Sequence, residues 1–211
     1  MIDTAFVRRY CYSMKYLVIT GNPKKDGMCS AITEAVRKGA EAGSAQVEIL
    51  SVEKLDRCRV CGEGWGSCLK NHTCAFGNDG FAEAQKAVQA ADVLCLITPV
   101  YWHEMAESLK CFIDRLRRCE FDRPWAKRPE NQKGALVGKQ VLLIASAGGT
   151  GNGILTCLEQ MDRFCRHTEA VIFDYIGINR WNCDYKKEAV FSAAKAMAEG
   201  RKNDDTIINA I

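Results

Sequence analysis

The chain has 211 residues, 47% of them hydrophobic, so it can bury the core of one domain. Its 29 basic and 26 acidic residues leave a formal net charge of +3, and no basic cluster is interleaved with aromatic residues, so no nucleic-acid partner is expected. The densest basic run, Arg115, Arg117 and Arg118, falls on a predicted helix and is interpreted as a solvated face or a subunit contact. No apolar run is long enough to span a membrane, and the first residues do not predict a signal peptide.

Twelve cysteines are many for a domain of this size, but several lie where a thiol serves as a small core side chain. Cys95 lies in the apolar run VLCLIT, Cys111 lies on one predicted helix, and Cys157 and Cys165 share another. Such usage is typical of the reducing cytoplasm rather than of a secreted disulfide scaffold. Met14 precedes the first apolar run almost directly, so residues 1–13 are interpreted as an N-terminal extension of a single domain, 14–211.

Strand and helix signals alternate along the chain. Five apolar runs predict strands, in order Tyr16–Thr20, Val47–Leu50, Val93–Thr98, Val141–Ser146 and Val171–Ile176. Five amphipathic patterns predict helices, in order Ser30–Ala42, Phe81–Ala90, Glu104–Cys119, Gly153–His167 and Lys187–Glu199. The alternation predicts an α/β fold, a doubly wound three-layer sandwich with a five-stranded parallel sheet. The second run alternates with a polar residue, as an edge strand does, whereas the third and fourth are predicted to be central.

The first strand leads into the first helix through a loop that suits an anion. Gly21 ends the strand, Lys24 and Lys25 follow, and the helix begins near Ser30. Unpaired backbone N–H groups at a helix start, together with the helix dipole, attract negative charge. The loop has neither the G-x-G-x-x-G of a dinucleotide site nor the G-x-x-x-x-G-K-[ST] of a triphosphate loop. By itself it fits a phosphate site or an ordinary turn with solvated lysines.

Two more loops are expected at the same edge of the sheet. Residues 99–104 bring Tyr101 and Trp102 into a strand-to-helix turn, where at least one aromatic ring is expected to face the crevice and stack on a planar ligand. Residues 147–153 hold four glycines, which let backbone N–H groups approach a ligand closely. Taken by itself, the aromatic pair could equally cover the hydrophobic core or contact another subunit. Taken by themselves, the glycines could equally form a flexible turn. In an open parallel sheet the ligand crevice lies beyond the carboxyl ends of the strands, so these loops are predicted to meet loop 21–30.

Together the three loops resemble those of the flavodoxin-like NADPH-dependent FMN reductase family, especially its iron–sulfur flavoprotein branch. The resemblance runs from residue 15 to about 200 and is carried by GNPKKDGMCS, TPVYWHEMAESLKCFIDRL and SAGGTGNG after the first, third and fourth strands. It implies FMN, with the phosphate on loop 21–30 and the isoalloxazine ring between loops 99–102 and 147–151. The residues so implied are Asn22, Pro23, Lys24, Lys25, Met28, Cys29, Ser30, Pro99, Val100, Tyr101, Trp102, Ala147, Gly148, Gly149, Thr150 and Gly151.

The phosphate loop departs from the family's usual pattern at several positions. Asn22 stands where the family usually has serine, and Lys24 where it usually has arginine. Met28 and Cys29 replace the usual asparagine and threonine. Cys29 therefore lacks a hydroxyl for the phosphate, although its backbone N–H remains and Ser30 could compensate.

A cysteine-rich insertion at 56–80 has the spacing Cys58-x2-Cys61-x6-Cys68-x5-Cys74. Iron–sulfur members of the resembled family carry a compact C-x2-C-x2-C and then a fourth cysteine; here Gly64 takes the third place and Cys68 follows four residues later. Three interpretations stay open: a [4Fe–4S] cluster on the four cysteines, a structural zinc ion, or a metal-free loop of reduced or occasionally oxidised thiols.

The function implied by the resemblance is an FMN-dependent oxidoreductase that takes electrons from NAD(P)H and passes them to a small-molecule or protein acceptor. No side chain is expected to act as a general base, so no catalytic residue is assigned. One alternative is an iron–sulfur flavoprotein acting as an electron carrier, and another is a flavin-free scaffold. The family also implies a homodimer or higher homo-oligomer, with Glu120–Gly138 and the cysteine loop as contact surfaces.

Overall fold

The computed structural model describes residues 13–121, 128 and 132–201. Its strands are β1 Lys15–Thr20, β2 Gln46–Ser51, β3 Val93–Tyr101, β4 Glu104–Met105, β5 Gln140–Ala147 and β6 Val171–Asn179. Its helices are α1 Met28–Ala42, α2 Ser67–Lys70, α3 Phe81–Ala90, α4 Glu107–Glu120, α5 Ile154–His167 and α6 Cys183–Ala198. Residues 1–12 of the predicted extension and much of the predicted contact segment Glu120–Gly138 lie outside the described residues.

The main sheet has five parallel strands in the order β2-β1-β3-β5-β6, and the short β4 pairs antiparallel with β3. This confirms the predicted parallel sheet, with β2 at an edge and β3 and β5 inside. The chain moves from β1 outward to β2 and then crosses to the other side of β1 with β3. In open α/β sheets, ligands bind at such a reversal, at the carboxyl ends of the strands.

Helices cover both faces of the sheet, which completes the predicted three-layer sandwich. On one face α1 and α6 bury Ile32, Val36, Val190 and Ala194 against β1, β3 and β5. On the other face α3, α4 and α5 bury a larger cluster that includes Phe81, Phe112, Leu116, Cys157 and Cys165. Continuous apolar strands between two helical layers explain why β3 and β5 have unbroken hydrophobic sequences.

Three of the four predicted core cysteines are buried. Cys95, Cys157 and Cys165 have no exposed surface, whereas Cys111 is half-buried and lines a cleft. All 11 cysteines within the described ranges are free thiols. Over the same ranges, no helix combines the length and the apolar composition needed to cross a lipid bilayer.

The structure differs from the sequence prediction after β3. The sequence pattern predicts the third helix from Glu104, but β3 continues to Tyr101 and folds back as a hairpin, with Tyr101 opposite Glu104 and Val100 opposite Met105. The turn is tight because Trp102 and His103 both adopt left-handed backbone conformations, with φ of 49° and 70°. Helix α4 therefore begins three residues later, at Glu107. Met105 fits the apolar stripe of a helix, but it is buried from a strand instead.

The last strand and the last helix are both longer than predicted. β6 continues to Asn179, and α6 begins at Cys183 rather than near Lys187. The turn between them is closed by reciprocal asparagine bonds, since Asn179 N–H donates to Asn182 Oδ1 at 2.8 Å and Asn182 N–H donates to Asn179 Oδ1 at 3.0 Å. Asparagine side chains commonly hydrogen-bond the backbone in such turns, so this asparagine pair is the local signal that marks the boundary.

Candidate functional site

The three predicted loops meet at the carboxyl edge of the sheet. Gly21 N–H, at the end of β1, donates to Ile97 O of β3 at 3.0 Å, and Ser108 Oγ of α4 donates to Gly21 O at 3.0 Å. The β3–β4 hairpin contacts residues 147–153, here called the glycine loop. The contact is so close that a Cβ on Gly153 would lie 2.4 Å from His103 Cα. The φ of Gly153 is also +83°, so glycine is required at this contact.

Asn22 and Ser30 organise the loop after β1 from within. Asn22 N–H donates to Thr20 Oγ1 at 3.2 Å, and Asn22 Nδ2 donates to Ser30 Oγ at 3.1 Å and to the carbonyl of Lys24. Lys24 N–H donates back to Asn22 Oδ1 at 3.2 Å, and Ser30 Oγ donates to Lys24 O at 3.2 Å. The Ser30 hydroxyl is thus used inside the loop, and it would have to leave Lys24 O to replace the hydroxyl missing at Cys29.

The start of α1 is open towards this loop. Its preceding residue, Gly27, has φ of +87°, no described side chain caps the helix, and its first turn contains no acidic residue. The N–H groups of the first turn have no helical carbonyl to bind, and the helix dipole adds partial positive charge there. Lys24 and Lys25 are exposed beside it. This helix start combines donors and cations as a phosphate requires.

Cys29 takes part in the site through its backbone only. Its side chain is 6% exposed, and burial raises the pKa of the thiol, partly offset by a hydrogen bond with Ser146. The thiol therefore stays neutral and packs against the end of β5, while the N–H remains at the helix start.

The β3–β4 hairpin carries two exposed aromatic side chains, and Tyr101 lines the cleft beside Gly21. Trp102 is 94% exposed and Tyr101 is 49% exposed, whereas Pro99 is buried and Val100 half-buried within β3. Ala106 N–H donates to Thr98 Oγ1 at 2.9 Å and fixes the base of the hairpin. An exposed indole on a fixed hairpin can stack on a flat ring.

The glycine loop faces open space on the other side. A Cβ on Gly148 or Gly149 would meet no atom within 4 Å, so a ligand can reach their backbone. Asn179 Nδ2 donates to Thr150 O at 3.4 Å and ties the loop to the end of β6. The site thus offers N–H donors opposite the aromatic hairpin.

Two clefts open onto this edge. One, of about 270 Å³, is lined by the phosphate-loop residues Asn22, Pro23, Lys24, Lys25 and Ser30 together with the ends of β1 and β2. The other, of about 530 Å³, lies between Gly21, Tyr101 and Ser108 and reaches Asp56 and Arg57 at the start of the cysteine loop. The second cleft therefore extends from the crevice to the cysteine-rich insertion.

The four predicted cysteine ligands line a single cavity. Cys58, Cys61, Cys68 and Cys74 surround it, and α4 closes it with Arg115, Arg118 and Cys119. Four thiols with cationic N–H donors are a donor set that suits a [4Fe–4S] cluster. The cavity measures about 20 Å³, room for one water, so a cluster requires the loop to open outward. Among the described side chains, no three His, Cys, Asp or Glu groups converge as a single metal ion needs.

The sequence interpretation of Arg115 as a solvated or subunit-contact residue is wrong, because its side chain is 1% exposed. Its Nη1 donates to Asp56 O at 2.9 Å and to Asp79 Oδ2 at 2.6 Å. Its Nη2 donates to Phe76 O at 2.7 Å, to Asp79 Oδ1 at 3.0 Å and, weakly, to Cys74 Sγ at 3.6 Å. One guanidinium therefore joins both ends of the cysteine loop to α4.

Asp79 is the anionic partner of this guanidinium. Burial raises the pKa of its carboxyl, but hydrogen bonds from Arg115 and from the N–H groups of Asp56 and Phe81 outweigh burial and lower the pKa to about 2. The carboxylate therefore stays charged at neutral pH. Helical spacing places Arg115 on the buried stripe of α4, because it follows Phe112 by three residues and precedes Cys119 by four, but this spacing does not identify Asp79 as its partner.

The thiols of the cavity differ in their surroundings. Burial raises the pKa of Cys68, partly offset by backbone hydrogen bonds and the positive charge of Arg118. Burial and the neighbouring Cys68 and Cys74 raise the pKa of Cys119 further. Cys119 also lines the cavity, where it is fully buried on α4. The spacing of the loop cysteines does not indicate it, because it reaches the cavity only through the packing of α4 against the loop.

Comparison with known proteins agrees with this architecture. The family model described as NADPH-dependent FMN reductase matches residues 14–180. An iron-sulfur flavoprotein of Archaeoglobus fulgidus is 31% identical over 137 residues, 64% of this chain and 56% of that protein. One of Methanosarcina thermophila is 28% identical over 145 residues, 66% of each. The matches therefore span between about half and two thirds of these relatives.

Solved structures share the fold. An NADH:FMN oxidoreductase in its apo form superposes with a TM-score of 0.62 at 18% identity, covering 92% of this chain and 93% of the other. An archaeal flavodoxin superposes with a TM-score of 0.58 at 14% identity, covering 89% and 98%. The fold is thus flavodoxin-like. Because the family model covers most of the chain, the chain belongs to the NADPH-dependent FMN reductase family, and FMN is the cofactor that this membership supports.

Proposed function

We propose that this chain is an FMN-dependent oxidoreductase that takes electrons from NAD(P)H and passes them to a small-molecule or protein acceptor. One observation carries the proposal: an open helix start, an exposed aromatic hairpin and an accessible glycine loop lie together at the carboxyl ends of β1, β3 and β5. The matches cover only part of the curated relatives. We therefore infer the activity from the crevice of this chain and not from the activities of those relatives.

Each loop has a separate task in binding the cofactor. The N–H groups at the start of α1, with Lys24 and Lys25, bind the phosphate. Trp102 and the glycine loop would hold the isoalloxazine ring. FMN, when bound, supplies the hydride-accepting chemistry. The N–H groups of Gly148 and Gly149 would be the donors available to negative charge on a bound ring, and no side chain is needed as a general base.

The phosphate assignment has a direct test. Lys24→Ala combined with Lys25→Ala is expected to weaken FMN binding at least tenfold, because two cations are removed from the anion site. Riboflavin, which lacks the phosphate, should bind both proteins with similar affinity. Lys86→Ala with Lys133→Ala, two exposed lysines that line neither cleft of the crevice, gives the same change in net charge and should leave FMN affinity unchanged. Unchanged FMN affinity in the first double variant would refute the phosphate assignment.

The enzymatic part of the proposal is tested by stopped-flow absorbance without oxygen. Rapid bleaching of bound flavin on mixing with NADPH or NADH supports the oxidoreductase. Slow bleaching by both nucleotides, together with rapid reduction by a reduced ferredoxin, contradicts it and favours an electron carrier.

The second candidate function is that of an iron–sulfur electron carrier, and the cysteine cavity favours it. The same cavity is also compatible with an oxidoreductase that contains an iron–sulfur centre. All four cysteines of the loop face one cavity next to cationic donors, and the similar archaeal proteins are described as iron-sulfur flavoproteins. Purification without oxygen, followed by iron and zinc assays, separates the three interpretations of the loop. About four iron atoms per chain supports the cluster, zinc indicates a structural ion, and neither metal leaves a thiol loop.

A further inference from the structure

We propose that helix α4 forms one wall of the iron–sulfur centre, with Arg118 as the cation that raises the reduction potential of the cluster and brings Cys68 to it. The proposal rests on the cluster put forward above. It concerns residues outside the cysteine motif, since Arg118 lies more than forty residues beyond Cys74 in the chain.

Arg118 holds the segment between Cys61 and Cys68. Its Nη1 donates to the carbonyl of Gly64, and its guanidinium lies 4.8 Å from the centre of the Trp65 ring. Trp65 in turn packs against Phe121, with ring centres 5.3 Å apart, at the end of α4. Gly64 and Trp65 are thus bound to the helix by one guanidinium and one aromatic pair.

This attachment keeps the segment from Gly64 to Cys68 on α4, so the opening that a cluster requires falls to the Cys58–Cys61 side of the loop, and the irregular spacing can still supply four cysteines. Gly64 occupies the third place of a compact C-x2-C-x2-C motif. Because its carbonyl is held by Arg118, the chain turns at Gly66 into the short helix α2, which buries Cys68 to 8% exposure on the same cavity. The third thiol therefore reaches the cavity four residues late in sequence but in the appropriate place.

The same guanidinium is an electrostatic group of the site. A [4Fe–4S] cluster with four thiolates is negatively charged, and taking up one electron makes it more so. A nearby cation stabilises the reduced form more than the oxidised form, so it raises the potential. Three arginines line the cavity, but Arg59 is paired with Asp56 at 3.1 Å and Arg115 with Asp79 at 2.6 Å, which leaves Arg118. Within the described residues, Arg118 contacts a backbone carbonyl and an aromatic ring rather than a carboxylate, so its charge acts on the cluster.

The test compares three variants by titration with dithionite and redox mediators, monitored by electron paramagnetic resonance, with iron counted in each. Dithionite supplies the one electron that the oxidised cluster takes up. Arg118→Met is expected to lower the midpoint potential by the equivalent of a tenfold change in the reduced-to-oxidised ratio, which is about 59 mV. Arg118→Lys keeps the charge and should stay close to the wild type. Arg117→Met removes a neighbouring charge of α4, which pairs with Asp114 at 3.7 Å, and should leave the potential unchanged.

Each outcome decides the proposal. If Arg118→Met binds no iron but Arg118→Lys does, the cation is needed for the site and the proposal stands. If Arg118→Lys binds no iron, or if both variants lower the potential equally, the shape of the arginine side chain matters rather than its charge, and the proposal is overturned. An unchanged potential in Arg118→Met with full iron also overturns it. If the wild type binds no iron even after anaerobic reconstitution, the proposed cluster itself fails.

Discussion

Arg115→Met isolates the buried guanidinium that fastens the cysteine loop to α4. Methionine keeps much of the apolar volume beside Phe81, over whose ring the guanidinium lies at 4.1 Å. The substitution removes the donors to Asp56 O, Phe76 O and the Asp79 carboxylate. Asp79, whose side chain is 15% exposed, would then remain as a largely buried anion without its cation.

The magnitude of the expected loss follows from the ion pair. Removing one partner of a buried pair typically costs about 3–5 kcal/mol, because the remaining charge is uncompensated. The pKa of Asp79 is lowered from its ordinary 3.8 to about 2 by Arg115 together with the N–H groups of Asp56 and Phe81, and the whole shift corresponds to about 2 kcal/mol. We expect Arg115→Met to lower the free energy of unfolding by about 3 kcal/mol at pH 7.

The loss should depend on pH in a defined direction. Because the folded pKa of Asp79 is below the unfolded one, its contribution is fully present above about pH 5 and is lost as pH falls towards 2. In Arg115→Met the part of this contribution that Arg115 supplies is absent, whereas the hydrogen bonds from the N–H groups of Asp56 and Phe81 remain. The difference in unfolding free energy between wild type and variant should therefore shrink by about 1 kcal/mol between pH 6 and pH 2.5.

Urea unfolding of the metal-free protein at both pH values measures these differences. Arg163→Met is the matched control, since Arg163 is 73% exposed in its pair with Glu159 and should contribute less than about 1 kcal/mol. Native-state hydrogen exchange of residues 56–80 should show faster exchange in Arg115→Met than in the control. A loss below 1 kcal/mol, or one that does not change with pH, would refute the role of the Arg115–Asp79 pair.

Three further substitutions test the crevice and the cavity. Cys68→Ala should lose most of the iron of anaerobically purified protein while Cys119→Ala keeps it, and equal loss would make the α4 thiol a ligand. Gly153→Ala places a Cβ 2.4 Å from a backbone atom at φ of +83°, so it should lower the unfolding free energy by about 1–3 kcal/mol. Gly148→Ala places a Cβ in open space and should not lower it. Equal shifts of the melting temperature in the two variants would contradict this. Trp102→Ala, at 94% exposure, should change stability by less than about 0.5 kcal/mol but weaken FMN binding up to about tenfold in a fluorescence titration, and unaltered affinity would exclude stacking.

The layers of the fold and the central or edge position of each strand are predictable from the sequence, because burial determines how apolar and polar residues alternate along an element. β3 and β5 are apolar on both faces, whereas β2, exposed along an edge, alternates, so their positions in the sheet follow from the pattern of residues alone. The ends of the elements are less predictable. Trp102 occupies a left-handed conformation that its residue type does not favour, and the turn contains no glycine or asparagine, so the β3–β4 hairpin carries no clear turn signal.

The cysteine centre shows a different limit of sequence interpretation. The four loop cysteines can be proposed from their spacing, but Arg115 and Arg118 cannot, because arginines on a helix are exposed more often than buried. Only the packed structure shows that one side of α4 faces the cysteine loop. Their role depends on contacts across 39 and 54 residues, to Phe76 and Gly64, which no local pattern encodes.

Helix α4 connects the two candidate sites. Near its start, Ser108 binds the Gly21 carbonyl of the phosphate loop, and near its end Arg115 and Arg118 bind the cysteine loop. The ten residues from Ser108 to Arg118 span about 15 Å of helix. Because Leu109, Phe112 and Leu116 bury this helix in the core, it has no freedom to tilt independently of the sheet. The flavin crevice and the cysteine cavity are therefore held at a constant separation by a packed helix, even where the loops that line them must open to admit their ligands.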